Sequence, residues 1–481
     1  MADTNRLKKN PQKNPLDPVA LAFWCFALTV ALLPISLGGN RPLPLGVAQA
    51  GLALSGLLLF IPQEHWRGFC LFTRLRWAFS LFAIVLGWAF LQTQSFMPAG
   101  WDHPLWGEAA SVLGKPLKAT IAIAPEAGLY SMTRLISYIA CGFLAYALSQ
   151  QPARALRLLQ TIWFSGVLIC LYGMLVYVSG NETILVFRKW AYLEDLTATF
   201  VNHNQFALYA GLVFNTGAAL FLQSWREQAK LAKGEEKHVS FKRWAVRVAL
   251  PYVIMLMLVF ACVILSHSRA GLMLTLLGLG SYLFFYQIYI KAWRRAVFTG
   301  FLALGACVLV LIAAMAASEH FATLFQDYSS TDRLRVYRIV WRALQDNPWL
   351  GYGLGGFQPV FRLYQPGMNM EFTHAHSDVL ESLLDLGLIF GPLLWLAIAL
   401  LLSGLMHGVL RRRRHGIFPT LGLAASVMLL GHGFVDFSLQ QPGLVFIWSA
   451  IVGAGLAQSW GQSEKDAYID QLQEGAKRLR G

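Results

Sequence analysis

The chain has 481 residues, of which 56% are hydrophobic and 13% are charged, and its formal net charge is +14. About 25% of the residues of a soluble globular protein are charged, so this composition excludes a soluble domain and indicates a protein of the lipid bilayer. The basic residues occupy separate short segments between apolar stretches, which argues against a nucleic-acid-binding surface.

Apolar stretches that are long enough to cross a bilayer recur along almost the whole chain. A transmembrane helix needs about 20 predominantly apolar residues. The sequence therefore predicts an all-α, polytopic integral membrane protein with about 12 transmembrane helices and a large helical loop outside the membrane. The predicted spans cover residues 19–38, 44–61, 77–95, 129–148, 159–179, 204–223, 248–266, 270–290, 297–316, 377–403, 416–435 and 442–459.

Basic residues mark alternate loops between these spans and both ends of the chain. They cluster within 6–13, 67–76, 154–157, 230–243, 291–295, 411–414 and 477–480. Loops rich in lysine and arginine stay in the cytoplasm, so both termini are predicted to be cytoplasmic. The segments predicted to lie outside are then 96–128, 180–203 and 318–376.

The predicted topology divides the chain into five segments. These are a cytoplasmic tail at 1–18, transmembrane helices one to nine at 19–316, an external loop with an arginine-rich amphipathic helix at 317–375, transmembrane helices ten to twelve at 376–459, and a second cytoplasmic tail at 460–481.

Arg269 lies in the very short connection between the seventh and eighth spans, directly after Ser268. An arginine at bilayer depth costs at least ~2.5–3.5 kcal/mol, so such a residue faces a cavity and has a partner. Arg269 is therefore a candidate for an anion site at the outer ends of the spans. The alternative is an arginine that extends its side chain to the membrane surface at the tip of the hairpin.

The external loop contains a predicted amphipathic helix at 332–346, which the dipeptide Asn347-Pro348 ends. Arg335, Arg338 and Arg342 share one face, and Arg333 lies beside that stripe. The opposite face is formed largely by Leu334, Tyr337, Val340, Trp341 and Leu344. We expect this helix to lie along the outer membrane interface.

These arginines have two possible partners. Between 318 and 376 the loop carries five arginines and no lysine. A guanidinium group can bind phosphate oxygens with two parallel hydrogen bonds, which a lysine cannot do, so the composition favours a phosphate ligand. Lipid headgroups are the alternative partners, in particular for Arg338 and Arg342.

Glycines follow this helix between Gly351 and Gly356. Their spacing is similar to that of nucleotide-binding loops, but no strand precedes them. The segment is therefore predicted to be a glycine-rich turn.

His376 stands at the start of the tenth span, two residues after His374. A neutral imidazole can take a proton from a hydroxyl group, which makes His376 a candidate general base; the alternative is a hydrogen-bonded cap of the helix. The two histidines could also bind a metal together with Asp378 or Glu381, but this short pattern is common. We therefore predict no metal and no cofactor.

Further acidic residues lie near these histidines. Asp378, Glu381 and Asp385 share one helical face, and they could pair with the external arginines or favour a helix N-terminus. His432 and Asp436 lie one turn apart, and they could orient a neighbouring group or bond only to each other.

Four segments together resemble the O-antigen ligase and polymerase superfamily. The signature runs from Thr373 to Gly391, although Ser377 stands where asparagine is usual and Asp385 where glutamate is usual. The other matching segments are 200–205, 268–271 and 333–353. The resemblance extends over about 200–440.

The resemblance implies a GT-C-like membrane protein of the bacterial inner membrane that acts as a metal-independent glycosyltransferase at the periplasmic face. Its partners would be the lipid bilayer, a glycan donor linked to undecaprenyl diphosphate, and lipid A core or another glycan as acceptor. Arg269 with Arg333 or Arg335 would hold the diphosphate, and His376 would activate the acceptor hydroxyl. Arg338 and His374 complete the predicted substrate-binding set.

Three functions stay open at this point. A ligase would transfer the glycan to lipid A core, whereas a polymerase would join one lipid-linked repeat unit to another with the same donor chemistry. A membrane transporter is the third, because about twelve spans also fit transporters. However, no inverted repeat is apparent, and the polar residues cluster at one face.

Overall fold

The computed structural model describes residues 17–60, 73–98, 100–231, 237–316, 328–365, 371–461 and 464. Within these ranges the chain is almost entirely helical, apart from one hairpin of two short antiparallel strands. The helices are α1 Pro18–Leu32, α2 Pro42–Phe60, α3 Arg76–Gln92, α4 Leu105–Leu113, α5 Pro125–Leu148, α6 Pro152–Val178, α7 His203–Leu231, α8 Lys237–Trp244, α9 Leu250–Leu265, α10 Arg269–Tyr289, α11 Trp293–Ala316, α12 Tyr328–Asp346, α13 Phe357–Tyr364, α14 Asp378–Arg411, α15 Ile417–Gly433 and α16 Pro442–Ala457. The strands are β1 Thr183–Ile184 and β2 Phe187–Arg188.

The structure confirms the predicted all-α, polytopic membrane fold. In the described part of the chain, 9 helical stretches are long and apolar enough to cross a membrane. The apolar helices α15 and α16 are shorter, with 17 and 16 residues, and α11 covers the predicted ninth span. Each of the predicted spans thus coincides with a helix. Residues 1–16, 317–327 and 465–481 of the predicted tails and loop lie outside the described residues.

Helix α16 lies at the centre of the bundle, and all of its residues are buried. It packs mainly against α5 and α15. A β-carbon at Gly453 would lie 2.4 Å from the carbonyl oxygen of Gly142 on α5, so the close approach of the two backbones depends on small residues. Trp448 of α16 donates its indole N–H to Ser426 of α15 at 2.9 Å.

A second, smaller core joins α12, α13 and the start of α14. It contains the buried side chains of Val336, Val340, Ala343, Tyr352, Phe357, Val360, Phe361, Ala375 and Leu384. This core anchors the predicted arginine-rich helix on the bundle. We call the end of the bundle that carries α12 and the start of α14 the site end.

The predicted amphipathic helix is confirmed, but it begins at Tyr328 and its buried face differs in part from the prediction. Val336, Val340 and Leu344 are buried, whereas Leu334 and Trp341 are each 55% exposed. The helix packs on side chains of the glycine-rich turn and α13, and its contact face is narrower than the apolar pattern indicated. Asp346 ends it, directly before Asn347-Pro348 as predicted.

The predicted glycine-rich turn inserts into a break in α14. Gly387 interrupts that helix with φ 78° and ψ 172°, a conformation that essentially only glycine adopts. A β-carbon there would lie 2.2 Å from the carbonyl oxygen of Trp349, and one at Gly351 would lie 2.4 Å from that of Asp385. The backbone N–H of Leu388 donates to Pro348 at 2.8 Å, which replaces a helical hydrogen bond lost at the break.

Replacing Gly387 with alanine should therefore lower the free energy of unfolding by roughly 2–3 kcal/mol or more, because strain and a backbone clash add together. The matched control is Gly56→Ala in α2, where an added β-carbon would meet no atom within 4 Å. Thermal unfolding of both variants in the same detergent measures the difference. Equal midpoints would contradict the role of the Gly387 break.

Candidate functional site

His376 occupies a strained turn directly before α14. Its φ of 52° lies in the left-handed region, which is uncommon for a residue other than glycine. The hydroxyl of Tyr337 on α12 donates to the His376 carbonyl at 2.9 Å, and Ser377 caps α14 by accepting from Leu380 N–H. Contacts on both sides of His376 thus hold the turn in place, and strain of this kind clusters at functional sites.

The imidazole of His376 lies against a buried carboxylate. Its Nδ1 is 3.4 Å from Oδ1 of Asp436, a close polar contact rather than a well-aligned hydrogen bond. Burial alone would raise the pKa of the Asp436 carboxyl, but the interaction with His376 and the nearby His432 hold that pKa below its ordinary value. Asp436 is therefore ionised at neutral pH and can orient the imidazole of His376.

His432 completes this group from inside the bundle. Its Nε2 is 4.0 Å from Oδ2 of Asp436, and its Nδ1 lies 2.5 Å from the hydroxyl oxygen of Ser438. His432 and Asp436 were predicted either to orient a neighbouring group or to bond only to each other, and the geometry favours the first. That neighbour is His376.

His374 contacts a different carboxylate. Its Nδ1 is 3.0 Å from Oε1 of Glu381, while Oε2 of Glu381 accepts the Ala375 N–H at 2.9 Å. The ring of His374 also stacks on Phe437, with 4.4 Å between the ring centroids. In this structure His374 thus helps to fix the turn that precedes His376.

Arg333 on α12 influences this group of residues electrostatically. Burial raises the pKa of Tyr337; the positive charge of Arg333 opposes this effect, and the negative charge of Asp436 adds to it. The pKa of Tyr192, in the loop before α7, is also raised by burial and is affected by the same two charges. Arg333 and Asp436 therefore both influence the phenol groups of Tyr192 and Tyr337 electrostatically.

The other predicted arginines of α12 point elsewhere. Arg335, Arg338 and Arg342 are all exposed, on the face of the helix away from its buried core. Arg333, which lies beside the predicted stripe, is half-buried and influences Tyr337, whereas the stripe itself is exposed. The stripe faces the surroundings, where phosphates or lipid headgroups can reach it.

Arg269 is the first residue of α10, and its side chain is exposed. Ser268 caps the helix by accepting from Gly271 N–H, and its hydroxyl donates to Asn204 at 2.6 Å. Tyr192 stacks on His203 at the start of α7, beside this hairpin. The loop before α7 therefore links the Arg269 hairpin with the region of Arg333 and Asp436.

Asp195 fixes that loop on the hairpin. Its two carboxylate oxygens lie 2.7 Å from Nδ1 of His203 and 2.8 Å from Nδ1 of His267. Asp195 was not predicted from the sequence, because a carboxylate in a polar loop has no local pattern that reveals its partners.

Arg134 is a second residue that was not predicted from the sequence. It lies on α5 within the predicted fourth span, and its guanidinium donates to the side chain and the carbonyl of Gln440. An ionisable residue inside an apolar span was the available signal, since such residues are rare and often functional.

In the described part of the chain, no three histidine, cysteine or acidic side chains are grouped so that they could hold a metal ion. His374 and His376 face different carboxylates, Glu381 and Asp436.

Comparison with known proteins gives one family. Residues 253–396 match the family model for O-antigen ligase. This range runs from α9 to the middle of α14 and contains all the predicted site residues, whereas Asp436 and Arg134 lie outside it. The match confirms the resemblance that the sequence indicated. No curated protein matches the chain.

Glu381→Gln should destabilise the protein by about 1–3 kcal/mol, because a buried carboxylate that accepts from His374 and Ala375 N–H is replaced by a neutral amide. Glu371→Gln is the matched control, since the Glu371 side chain is 68% exposed and pairs only with Arg362 in the described structure. Thermal unfolding compares the two. A larger loss for Glu371→Gln would show that the turn does not depend on Glu381.

Proposed function

Because residues 253–396 form a domain of the O-antigen ligase and polymerase superfamily, we propose that the protein is a glycosyltransferase that transfers a glycan from undecaprenyl diphosphate to an acceptor hydroxyl. We propose lipid A core as the acceptor, as in the ligases of the superfamily. The observation that carries the proposal is the placement of His376 against the buried, ionised Asp436, with Arg333 nearby.

The proposed site faces the periplasm, and the membrane is the bacterial inner membrane. This orientation rests on the positive-inside rule. Lys291 and the basic run Arg411–Arg414 lie at the ends of α10 and α14 opposite the site end. The same rule puts both termini in the cytoplasm.

In the proposed reaction, His376 acts as the general base. The Nδ1 proton of the imidazole faces Asp436, so the Nε2 lone pair is available to take the proton of the acceptor hydroxyl. The hydroxyl oxygen then forms a bond to the anomeric carbon of the donor glycan. The bond from that carbon to the phosphate oxygen breaks, and its electron pair leaves with undecaprenyl diphosphate.

Arginines would stabilise the diphosphate as it leaves. Developing negative charge on a leaving group is stabilised best by donors that are already in place. Arg333 is the best placed of the α12 arginines, and Arg269 and Arg335 can reach the same anion from the hairpin and from the exposed face. Arg338 would contact the outer part of the substrate. No step in this scheme requires a metal.

A polymerase would use the same donor chemistry, and the family match includes no feature that separates the two. The polysaccharide of a deletion strain distinguishes them. Long glycans that stay on the lipid carrier support the ligase, whereas single repeat units transferred to lipid A core support the polymerase. Unchanged surface polysaccharide would contradict both.

His376→Ala should reduce glycan transfer by about 10²–10⁴-fold, because the general base is lost. Asp436→Asn should reduce kcat at least about tenfold, because the amide no longer favours the imidazole orientation that leaves Nε2 free. The assay uses purified protein, lipid-linked glycan and lipid A core, with and without a chelator.

Two controls accompany these variants. His407→Ala removes a histidine near the opposite end of α14 and should leave transfer unchanged. The chelator should have no effect on the wild type. Transfer that survives loss of His376, or that needs a divalent metal, would overturn the mechanism.

Arg333→Lys should lower kcat/KM for the donor by roughly 10–100-fold, because lysine keeps the charge but loses the two-pronged contact with phosphate. Arg342→Lys is the matched control near the far end of the same helix, and it should change kcat/KM less than about twofold. Equal effects of the two substitutions would show that α12 binds lipid headgroups only.

A further inference from the structure

A long groove runs through the membrane-spanning part of the bundle. It lies between two closely packed helix pairs, α3 with α14 and α5 with α16. Its volume, including the space open to the surroundings, is about 1170 Å³, and aliphatic and aromatic side chains line most of it. Along α5 the lining runs from Ser131 to Tyr146, which corresponds to ~22 Å of helix. This exceeds the ~15 Å of half a bilayer core, so the groove can hold a complete lipid chain.

The acidic and basic side chains of the groove lie at its site end. They include the two carboxyl groups of Asp378 and Asp385 and one guanidinium, that of Arg134. Both aspartates are buried, with 3% and 2% exposure. Oδ2 of Asp378 accepts from Leu439 N–H, and Oδ2 of Asp385 accepts from Gly355 N–H.

The second oxygen of each carboxyl group has no partner among the described residues. These atoms are Oδ1 of Asp378 and Oδ1 of Asp385. Buried polar atoms in proteins are nearly always hydrogen-bonded, so two such oxygens in residues that line one groove indicate a ligand that donates hydrogen bonds. Hydroxyl groups of a sugar are donors of this kind.

Charge distinguishes the two lipid-linked substrates. A diphosphate brings negative charge and hydrogen-bond acceptors, which the carboxyl groups of Asp378 and Asp385 cannot neutralise, and the guanidinium of Arg134 is already bonded to Gln440. The arginines suited to the diphosphate lie elsewhere, on α10 and α12. The groove end therefore suits an uncharged, hydroxyl-bearing headgroup.

We propose that this groove binds the acceptor through a lipid chain, with sugar hydroxyl groups held by Asp378 and Asp385. The acceptor is then a membrane-anchored saccharide, and it reaches His376 from the side of α14 that faces α3 and α5. This proposal rests on the proposed function and identifies the acceptor side of the same site.

One short segment connects the groove to the general base. Asp436 contacts His376, Leu439 N–H donates to Asp378, and Gln440 accepts from Arg134. Residues 436–440 thus touch the base and the groove end together. This segment therefore joins the part of the groove that would hold the acceptor to the carboxylate that contacts the base.

Binding is tested with two probes of equal chain length, a chain-brominated alkyl glucoside and a chain-brominated alkyl phosphate, on protein in phosphatidylcholine nanodiscs. Bromine quenches tryptophan fluorescence on contact, and Trp395 and Trp448 line the groove. We expect saturable quenching by the glucoside, weaker binding of the phosphate, and a smaller saturable component in Trp395→Phe, in which Trp448 still lines the groove.

Asp378→Asn and Asp385→Asn should each weaken glucoside binding by about tenfold, because an oxygen that accepts hydroxyl hydrogen bonds is replaced by an NH₂ group that cannot accept. Glu371→Gln, the same change at an exposed site, should leave it unchanged. His376→Ala should abolish transfer but keep glucoside binding, so failure of the proposed function is separable from failure of this proposal.

Tighter binding of the alkyl phosphate than of the glucoside by the wild type would overturn the proposal and assign the groove to an anionic lipid. The absence of saturable quenching would also overturn it. The comparison of the two probes uses the unaltered protein, so it tests the proposal even if an aspartate variant fails to fold.

Discussion

Three buried carboxylates on one face of α14 hold the candidate site together by accepting backbone N–H groups from three separate segments. Asp378 accepts from Leu439, Glu381 from Ala375, and Asp385 from Gly355. A buried carboxylate is costly unless donors surround it, so each segment must take the position that supplies one. Hydrogen bonds to the first two turns of α14 thus fix the positions of the His376 turn, the segment 436–440 and the glycine-rich turn.

The turns at His267 and His376 have the same local geometry. His267 and His376 both have a left-handed backbone, with φ of 54° and 52°, and each is followed by a serine that caps a helix. Each also places its Nδ1 near an aspartate, Asp195 or Asp436. Strain at these two residues is offset by the cap and by the carboxylate contact, so both turns project the residues around them in a fixed direction.

Local patterns in the sequence predict the parts of this structure that depend on local physics. The spans follow from apolar length, α12 from its periodicity and Asn347-Pro348, and the glycine-rich turn from its composition. The contacts of Asp378, Glu381 and Asp385 were not predicted, because their shared face is visible in the sequence but the segments that dock on it are distant along the chain. The exposure of Leu334 and Trp341 was missed for a related reason, since the shape of the surface beneath α12 is set by Tyr352, Phe357 and Phe361.

The charged and polar residues around His376 would direct two lipid-linked molecules to different sides of the same base. The cationic residues suited to a diphosphate, Arg269 and Arg333, belong to α10 and α12, whereas the carboxyl-lined groove belongs to α3, α5, α14 and α16. The groove would leave a diphosphate without a cation, and the arginines would be left unpaired by an uncharged saccharide; discrimination of this kind is stronger than discrimination by shape alone. On the proposed function, donor and acceptor would then be separated by electrostatics before they meet at His376. Such an arrangement needs a fixed base, which the hydrogen bonds of Asp378, Glu381 and Asp385 on α14 help to supply, because a shift of about 1 Å in the base can cost a hundredfold in rate.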